Sequence, residues 1–283
     1  MKKIERATAF LQQQLGLFRC PVCHLPYTTV IEHGMTCDNG HEMDLSKKGT
    51  LYFLNHEVST EYDAEMLNSR RRILSAGLFD GFLAAISEAM PSAAATILDV
   101  GSGEGTPLKK LLDSRITKND TAIGFDISKP GINLATQLTS SAFWCVADLA
   151  QLPFTDHQFD AIIDIFSPSA YAEFNRVLKP GGKLLKVVPN SHYLVELREL
   201  LYPETSANHS YSNDRVVSLF KDHYANVQEQ PIRYTVPIDQ DQFADLLAMT
   251  PLSWGADQAQ LTQARQAPLS EITVDVTLLI AEV

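Results

Sequence analysis

Three of the four cysteines, Cys20, Cys23 and Cys37, fall within eighteen residues, and His41 follows four positions after the last. The two-residue gap in Cys20-Pro21-Val22-Cys23 lets two thiolates from one tight knuckle take adjacent corners of a tetrahedron. Thirteen residues on, Cys37-Asp38-Asn39-Gly40-His41 offers a second pair, with Asn39-Gly40 supplying easy turn geometry. Four protein ligands leave no open position for water, so the expected ion is a structural Zn2+. So short a segment buries little apolar surface, and ligation would supply much of its folding free energy. His24 and His33 compete for the fourth position. His24 adjoins a ligand and is badly placed for the same ion; His33 stays a candidate, but Cys37 with His41 fits the second-knuckle spacing better. A redox Cys-x-x-Cys would need a strand-to-helix context that is absent here. The bland alternative is a cluster of reduced thiols. Cys145 stands alone and reads as a buried strand residue.

A second constellation is Leu98-Asp99-Val100-Gly101-Ser102-Gly103-Glu104-Gly105-Thr106. Glycines between a strand and a helix let the backbone turn tightly and approach a ligand at the helix N-terminus. The spacing is G-x-G-x-G rather than the dinucleotide G-x-G-x-x-G, and Asp99 precedes it. A carboxylate there serves a diphosphate poorly but suits a sulfonium cofactor bearing an amino-acid ammonium group. That contrast favours S-adenosylmethionine over a nicotinamide cofactor. Asp126 ends the next strand about 20 residues on, where a carboxylate grips ribose hydroxyls. Asp148 ends the third, placed to accept from an adenine amino group, with Leu149 packing on the ring. Singly, either aspartate could be a cap or a solvated loop residue.

These residues need a scaffold that brings strand ends together. Strands are expected at 96–100, 121–126, 142–147, 159–165 and 183–189, alternating with helices at 106–114 and 128–138. The alternation implies a mainly parallel α/β sheet with helices on both faces. Two or three helices should follow residue 189. Segments near 227–236 and 272–281 suit further strands, the latter possible as an antiparallel member near the edge. Helices are also expected at 4–15 and 64–90, the second broken at Gly77. The parts read as a helical extension (1–17), a zinc module (18–54), a linker with helices (55–90) and an α/β domain (91–283).

From about residue 78 onward the loop, the two aspartates, Phe159-Asp160-Ala161-Ile162-Ile163 and Leu178-Lys179-Pro180-Gly181-Gly182, in this order, resemble the class I methyltransferase superfamily. The zinc pattern ahead of them resembles something narrower. With Lys47-Lys48-Gly49, Asp63-Ala64-Glu65-Met66, Arg70-Arg71-Arg72 and the stretches 190–197 and 249–254, it is similar to the RlmA/TlrB family of 23S rRNA guanine-N1 methyltransferases. That likeness covers nearly the whole chain from Phe18. It implies methylation of N1 of one guanine in a 23S rRNA hairpin loop, by a homodimer whose zinc module meets RNA. It also implies cofactor contacts from Phe79, Gly105, Thr106 and His192. Phe79 stands where the family often has tyrosine, so a hydroxyl contribution is not carried over. Lys47, Lys48 and Arg70, Arg71 and Arg72 are the expected RNA contacts, against a plain reading of the arginines as a solvated helix face. Phe166, Ser167 and Pro168, after the fourth strand, are the expected base-binding edge, with Asp164 a conceivable proton acceptor. Two rivals stay open: a small-molecule methyltransferase with a zinc cap, and a non-enzymatic RNA-binding protein.

Charge permits RNA without demanding it. Residues 1–75 carry nine Lys/Arg and nine Asp/Glu, so the whole net charge of −11 lies beyond them. A neutral, locally basic segment can meet RNA while an acidic body stays solvated. No apolar run approaches the ~20 residues of a membrane span. The charged start, Met1-Lys2-Lys3-Ile4-Glu5-Arg6, lacks a signal-peptide core. A cytoplasmic protein is expected.

Overall fold

Ile97, Leu98 and Val100 are apolar in Thr96–Val100, and the last four of these residues, Asp99 among them, are buried. A strand of that kind must be covered on both faces. The computed structural model, which describes residues 2–54, 58, 63–117, 119–267 and 269–283, shows how. Most of residues 55–63, the start of the expected linker, lie outside the described residues.

Four short strands come first: β1 Tyr27–Ile31, β2 Gly34–Cys37, β3 Glu42–Asp44 and β4 Leu51–Tyr52. The first three form an antiparallel sheet of their own. The others are β5 Thr96–Val100, β6 Thr121–Asp126, β7 Phe143–Val146, β8 Phe159–Ile165, β9 Leu178–Pro189, β10 Val227–Pro237 and β11 Glu271–Glu282. With β4 they build an eight-stranded sheet in the order β10-β11-β9-β8-β5-β6-β7-β4. Pairing is parallel from β9 to β4, and β11 lies antiparallel between β9 and β10.

The helices are α1 Lys3–Gln14, α2 Ala64–Ser75, α3 Asp80–Ala89, α4 Thr106–Ser114, α5 Lys129–Ala135, α6 Tyr171–Val177, α7 Val195–Leu201, α8 Asp214–His223, α9 Gln240–Met249 and α10 Gln258–Arg265. Strand alternation sorts the core in two. Ile97, Ala161 and Ile163 join Phe82, Leu108, Ile132, Leu197 and Leu246 on one face. Leu98, Val100 and Ile162 join Leu11, Phe18, Phe154, Phe174 and Phe220 on the other. The expected break at Gly77 separates α2 from α3, where Gly77 takes φ 111°. Two α-helices, α7 and α8, lie between β9 and β10 as expected; α9 and α10, which fill the connection between β10 and β11, were not expected.

The N-terminal parts share the second core. Phe10 of α1 stacks on Phe143 of β7 at 4.7 Å between ring centroids. The backbone of Arg19 donates to Pro153 at 3.0 Å, that of Thr155 to Leu17 at 2.9 Å, and β4 extends the main sheet beside β7. No helix among the described residues is long and apolar enough to cross a membrane.

Candidate functional site

The knuckle Cys20–Cys23 and the turn after β2 bring four ligand atoms within 4.8 Å of one another: the sulfurs of Cys20, Cys23 and Cys37, and His41. Cys23 and Cys37 sulfurs are 3.6 Å apart, and Nδ1 of His41 is 3.5 Å from the sulfurs of both Cys20 and Cys37. A tetrahedral zinc with Zn–S of about 2.3 Å and Zn–N of about 2.0 Å sets these edges at about 3.8 and 3.5 Å. The donor set fits zinc in chemistry and in spacing. Val22 N–H points at the Cys20 sulfur at 3.4 Å, a donor that suits a thiolate. His33 is exposed beside Glu32 and His24 takes a left-handed backbone (φ 61°), so neither joins the cluster.

The carboxyl ends of β5, β6 and β7 open on a cavity of about 970 Å³, at the upper end of the range for small-molecule pockets. Gly101, Gly103, Asp126, Asp148 and Leu149 line it. Gly101 takes φ 64°, and a Cβ there would meet the Ser167 hydroxyl at 2.0 Å. Only glycine allows the loop and the segment after β8 to meet. Gly105, at φ 87°, faces away from the cavity: its Cβ would strike Trp144 and Ala135 at 2.7 and 2.9 Å. It lets α4 settle on the sheet.

Asp126 accepts from Gly103 N–H at 2.8 Å through one oxygen and from Ser128 N–H at 2.7 Å through the other. It thus fixes the loop and leaves lone pairs for a diol. Burial pushes its carboxyl above the usual range, while those amides and Arg70 pull the other way. Asp99 is buried with one oxygen unpartnered. Burial, then the nearby Asp126 and Asp164, push its carboxyl well up, and Arg70 opposes them. It lies behind the cavity wall. A buried carboxyl with an unpartnered oxygen, a guanidinium and an aspartate with lone pairs to spare are complementary to an ammonium, a carboxylate and a ribose diol. The residues present therefore fit S-adenosylmethionine.

The three arginines of α2 do not form a single exposed row: Arg72 is exposed, while Arg70 and Arg71 are half-buried. Arg70 lines the cavity, its guanidinium 5.6 Å from the Phe79 ring centroid. Arg71 donates to the buried Glu104 carboxylate at 3.2 Å and to its carbonyl at 3.0 Å. Glu104 also accepts from the Thr106 hydroxyl at 2.6 Å. Arg72 pairs with Asp245 at 2.5 Å. Helical spacing explains this: α2 is wedged against α5 and α9, and its neighbours supply carboxylates. Arg70 is the cavity residue that pattern reading assigned to RNA. Lys47 and Lys48 do sit exposed in a turn after β3.

Phe79, Gly105, Thr106 and His192 are not in the cavity wall. Phe79 is buried and packs edge-on against Phe166 at 5.6 Å. His192 is half exposed, 3.4 Å from Asp275. Phe166, Ser167 and Pro168 do line the cavity. Their loop is shaped from beneath. Asp164 accepts from Ser167 N–H at 3.1 Å, the Ser169 hydroxyl at 2.9 Å and Lys186 Nζ at 2.7 Å, and that ammonium also reaches the Ser167 carbonyl at 2.7 Å. Phe166 holds φ 59°, strain of the sort kept at working sites. Asp164 is thus a brace, on the strand face opposite Ile163 and Ile165.

A family profile described as a methyltransferase domain matches residues 97–182. The fold is similar to Haemonchus contortus phosphoethanolamine N-methyltransferase 2, solved with S-adenosyl-L-methionine: TM-score 0.52, 12% identity, 79% of this chain and 58% of that one covered. Together with the glycine loop, these define a class I S-adenosylmethionine-dependent methyltransferase. The chain is 40% identical to YxjB of Bacillus subtilis (strain 168), over 94% of this chain and 96% of that one; YxjB carries a provisional assignment as a 23S rRNA (guanine-N1)-methyltransferase. It is 27% identical to the 23S rRNA (guanine(748)-N1)-methyltransferase of Streptomyces fradiae, over 92% and 94% of the two chains. The chain belongs to the RlmA/TlrB family of 23S rRNA (guanine-N1)-methyltransferases.

Proposed function

We propose that this protein transfers a methyl group from S-adenosylmethionine to N1 of a guanine in a hairpin loop of 23S rRNA, in the cytoplasm. The observation that carries the reading is one cavity joining two chemistries. Gly101, Gly103, Asp126 and Asp148 line its side over β5, β6 and β7, and Phe166, Ser167, Pro168 and Tyr193 its side over β8 and β9. The first suits the cofactor; the second offers rings and apolar edges for a base turned out of an RNA loop.

The bound cofactor supplies a methyl group already activated on a sulfonium. The protein's own work is placement. Arg70 takes the methionine carboxylate and Asp99 lends negative potential to the ammonium. Asp126 holds the ribose hydroxyls, and Asp148 with Leu149 the adenine. The braced loop 166–169 sets the base edge against that cofactor, which is where positioning reduces the barrier.

Cys20, Cys23, Cys37 and His41 hold a structural Zn2+, and the module they shape meets RNA together with Lys47 and Lys48. We read the enzyme as a homodimer, on the family's likeness.

Primer extension on 23S rRNA treated with the protein tests this reading. A new stop at one guanine, dependent on the cofactor, is expected. Methyl transfer to a small metabolite with no mark on rRNA would favour the rival with a zinc cap.

A further inference from the structure

On the far side of β5 from Asp126 and Asp148, the cavity wall is built by α7, by the turn around Asn208 and by residues 249–255. Here α7 delivers Arg198, only 7% exposed. One guanidinium nitrogen donates to the Asn208 carbonyl at 2.9 Å, and the Tyr211 ring centroid lies 5.7 Å from the guanidinium carbon. Nε is buried without a partner. No carboxylate among the described residues pairs with it. An arginine cannot shed its proton to escape burial, so a cation kept this way is costly unless something meets it. Elsewhere among the described residues such arginines are met: the buried Arg115 has Asp120 and the half-buried Arg71 has Glu104.

The described wall residues include neither His nor Glu, and their two carboxylates belong to the cofactor side. Neutral guanine carries a proton on N1. When N1 loses it, the negative charge spreads to O6, the acceptor that arginine reads in guanine. We propose that Arg198 binds O6 of the target guanine, selecting that base and stabilising the charge it acquires as N1 is deprotonated. The N1 proton leaves to water. The N1 electron pair forms the bond to the methyl carbon while the carbon–sulfur bond breaks towards sulfur, giving N1-methylguanine, S-adenosylhomocysteine and one proton. Adenine would set an amino donor against the guanidinium, donor facing donor. Tyr211 flanks the guanidinium and limits where it can swing. This assignment rests on the reading of the chain as a guanine-N1 methyltransferase.

The test uses the full-length, zinc-loaded protein with a 23S rRNA fragment, comparing wild type with Arg198→Met and Arg198→Lys. Both variants should bind S-adenosylmethionine as wild type does by calorimetry, and bind RNA within about threefold. Arg198→Met should lose about 10²-fold or more in kcat at neutral pH, the loss typical of one missing oxyanion donor. That deficit should shrink as pH rises and N1 ionises unaided, and Arg198→Lys should recover part of it. A folded Arg198→Met with unchanged kcat and pH profile overturns the proposal. So does a loss confined to RNA affinity with the salt slope reduced by about one, which would mark a phosphate contact. Should Arg198→Met fail to fold, Arg198→Lys keeps the cation and carries the same pH comparison. Wild-type protein that binds the donor and leaves guanine N1 bare would instead sink the functional reading itself.

Discussion

Asp126 does two jobs at once, since each of its oxygens already accepts a loop amide, from Gly103 and Ser128. Asp126→Ala should therefore weaken S-adenosylmethionine binding about 100-fold by calorimetry, corresponding to about 2.7 kcal/mol for lost charge-assisted bonds. Asp99 behaves differently. Its folded pKa is raised, chiefly by burial. Below the unfolded value of about 4 it is neutral in both states; as pH rises past that value the unfolded chain ionises first and stability is lost. Asp99→Asn should melt at or above wild type at pH 8 without cofactor, the difference closing below about pH 4. The same variant should bind the cofactor more weakly. Asp126 stood out in the sequence because it ends a strand, and Asp99 because it directly precedes the glycine loop. Arg70 did not, since a run of three arginines says nothing about which way each points. Only the packing of α2 turned one of them to the cavity.

At the level of elements, α2 is the strap across the cofactor loop. Arg71 reaches Glu104, whose side chain is fully buried and also holds Thr106. Arg71→Ala leaves that carboxylate without its counter-charge in the interior and should cost about 3 kcal/mol, read as a lower midpoint in urea with an unchanged slope. The zinc module is the second element with its own energetics. Chelation should release one zinc per chain and loosen residues 18–45, seen as faster amide exchange there than in β5 or β8. Equal protection with and without metal would count against the ligand set. The four residues of the Cys3His cluster were legible because metal geometry constrains spacing so tightly. The union of the module with the sheet was not: β4 is two residues long, and its partner β7 lies about ninety positions away in sequence. Nothing local marks such a pairing. Between β10 and β11, α10 left little trace in the sequence, since it spans eight residues with a single buried side chain.

For the whole molecule the question is how a chain of net charge −11 binds RNA. The acidic excess lies beyond residue 75, and the exposed Lys47 and Lys48 sit on the neutral N-terminal part. Lys47→Glu with Lys48→Glu should weaken rRNA binding and lower its salt slope by about two, leaving cofactor affinity unchanged. With Arg71 and Arg72 paired to carboxylates and Arg70 turned to the cavity, the double variant tests the basic pair the protein leaves exposed. The mainly parallel character of the sheet followed from the strand and helix alternation, since parallel neighbours need crossover helices.

The central claim is that one cavity holds the methyl donor against a guanine of 23S rRNA. Mass spectrometry of rRNA fragments after treatment with the protein and S-adenosylmethionine tests it most directly. One added methyl, located on N1 of a single loop guanine and absent with Asp126→Ala, is the expected result. Donor binding intact with every guanine N1 unmodified would contradict it.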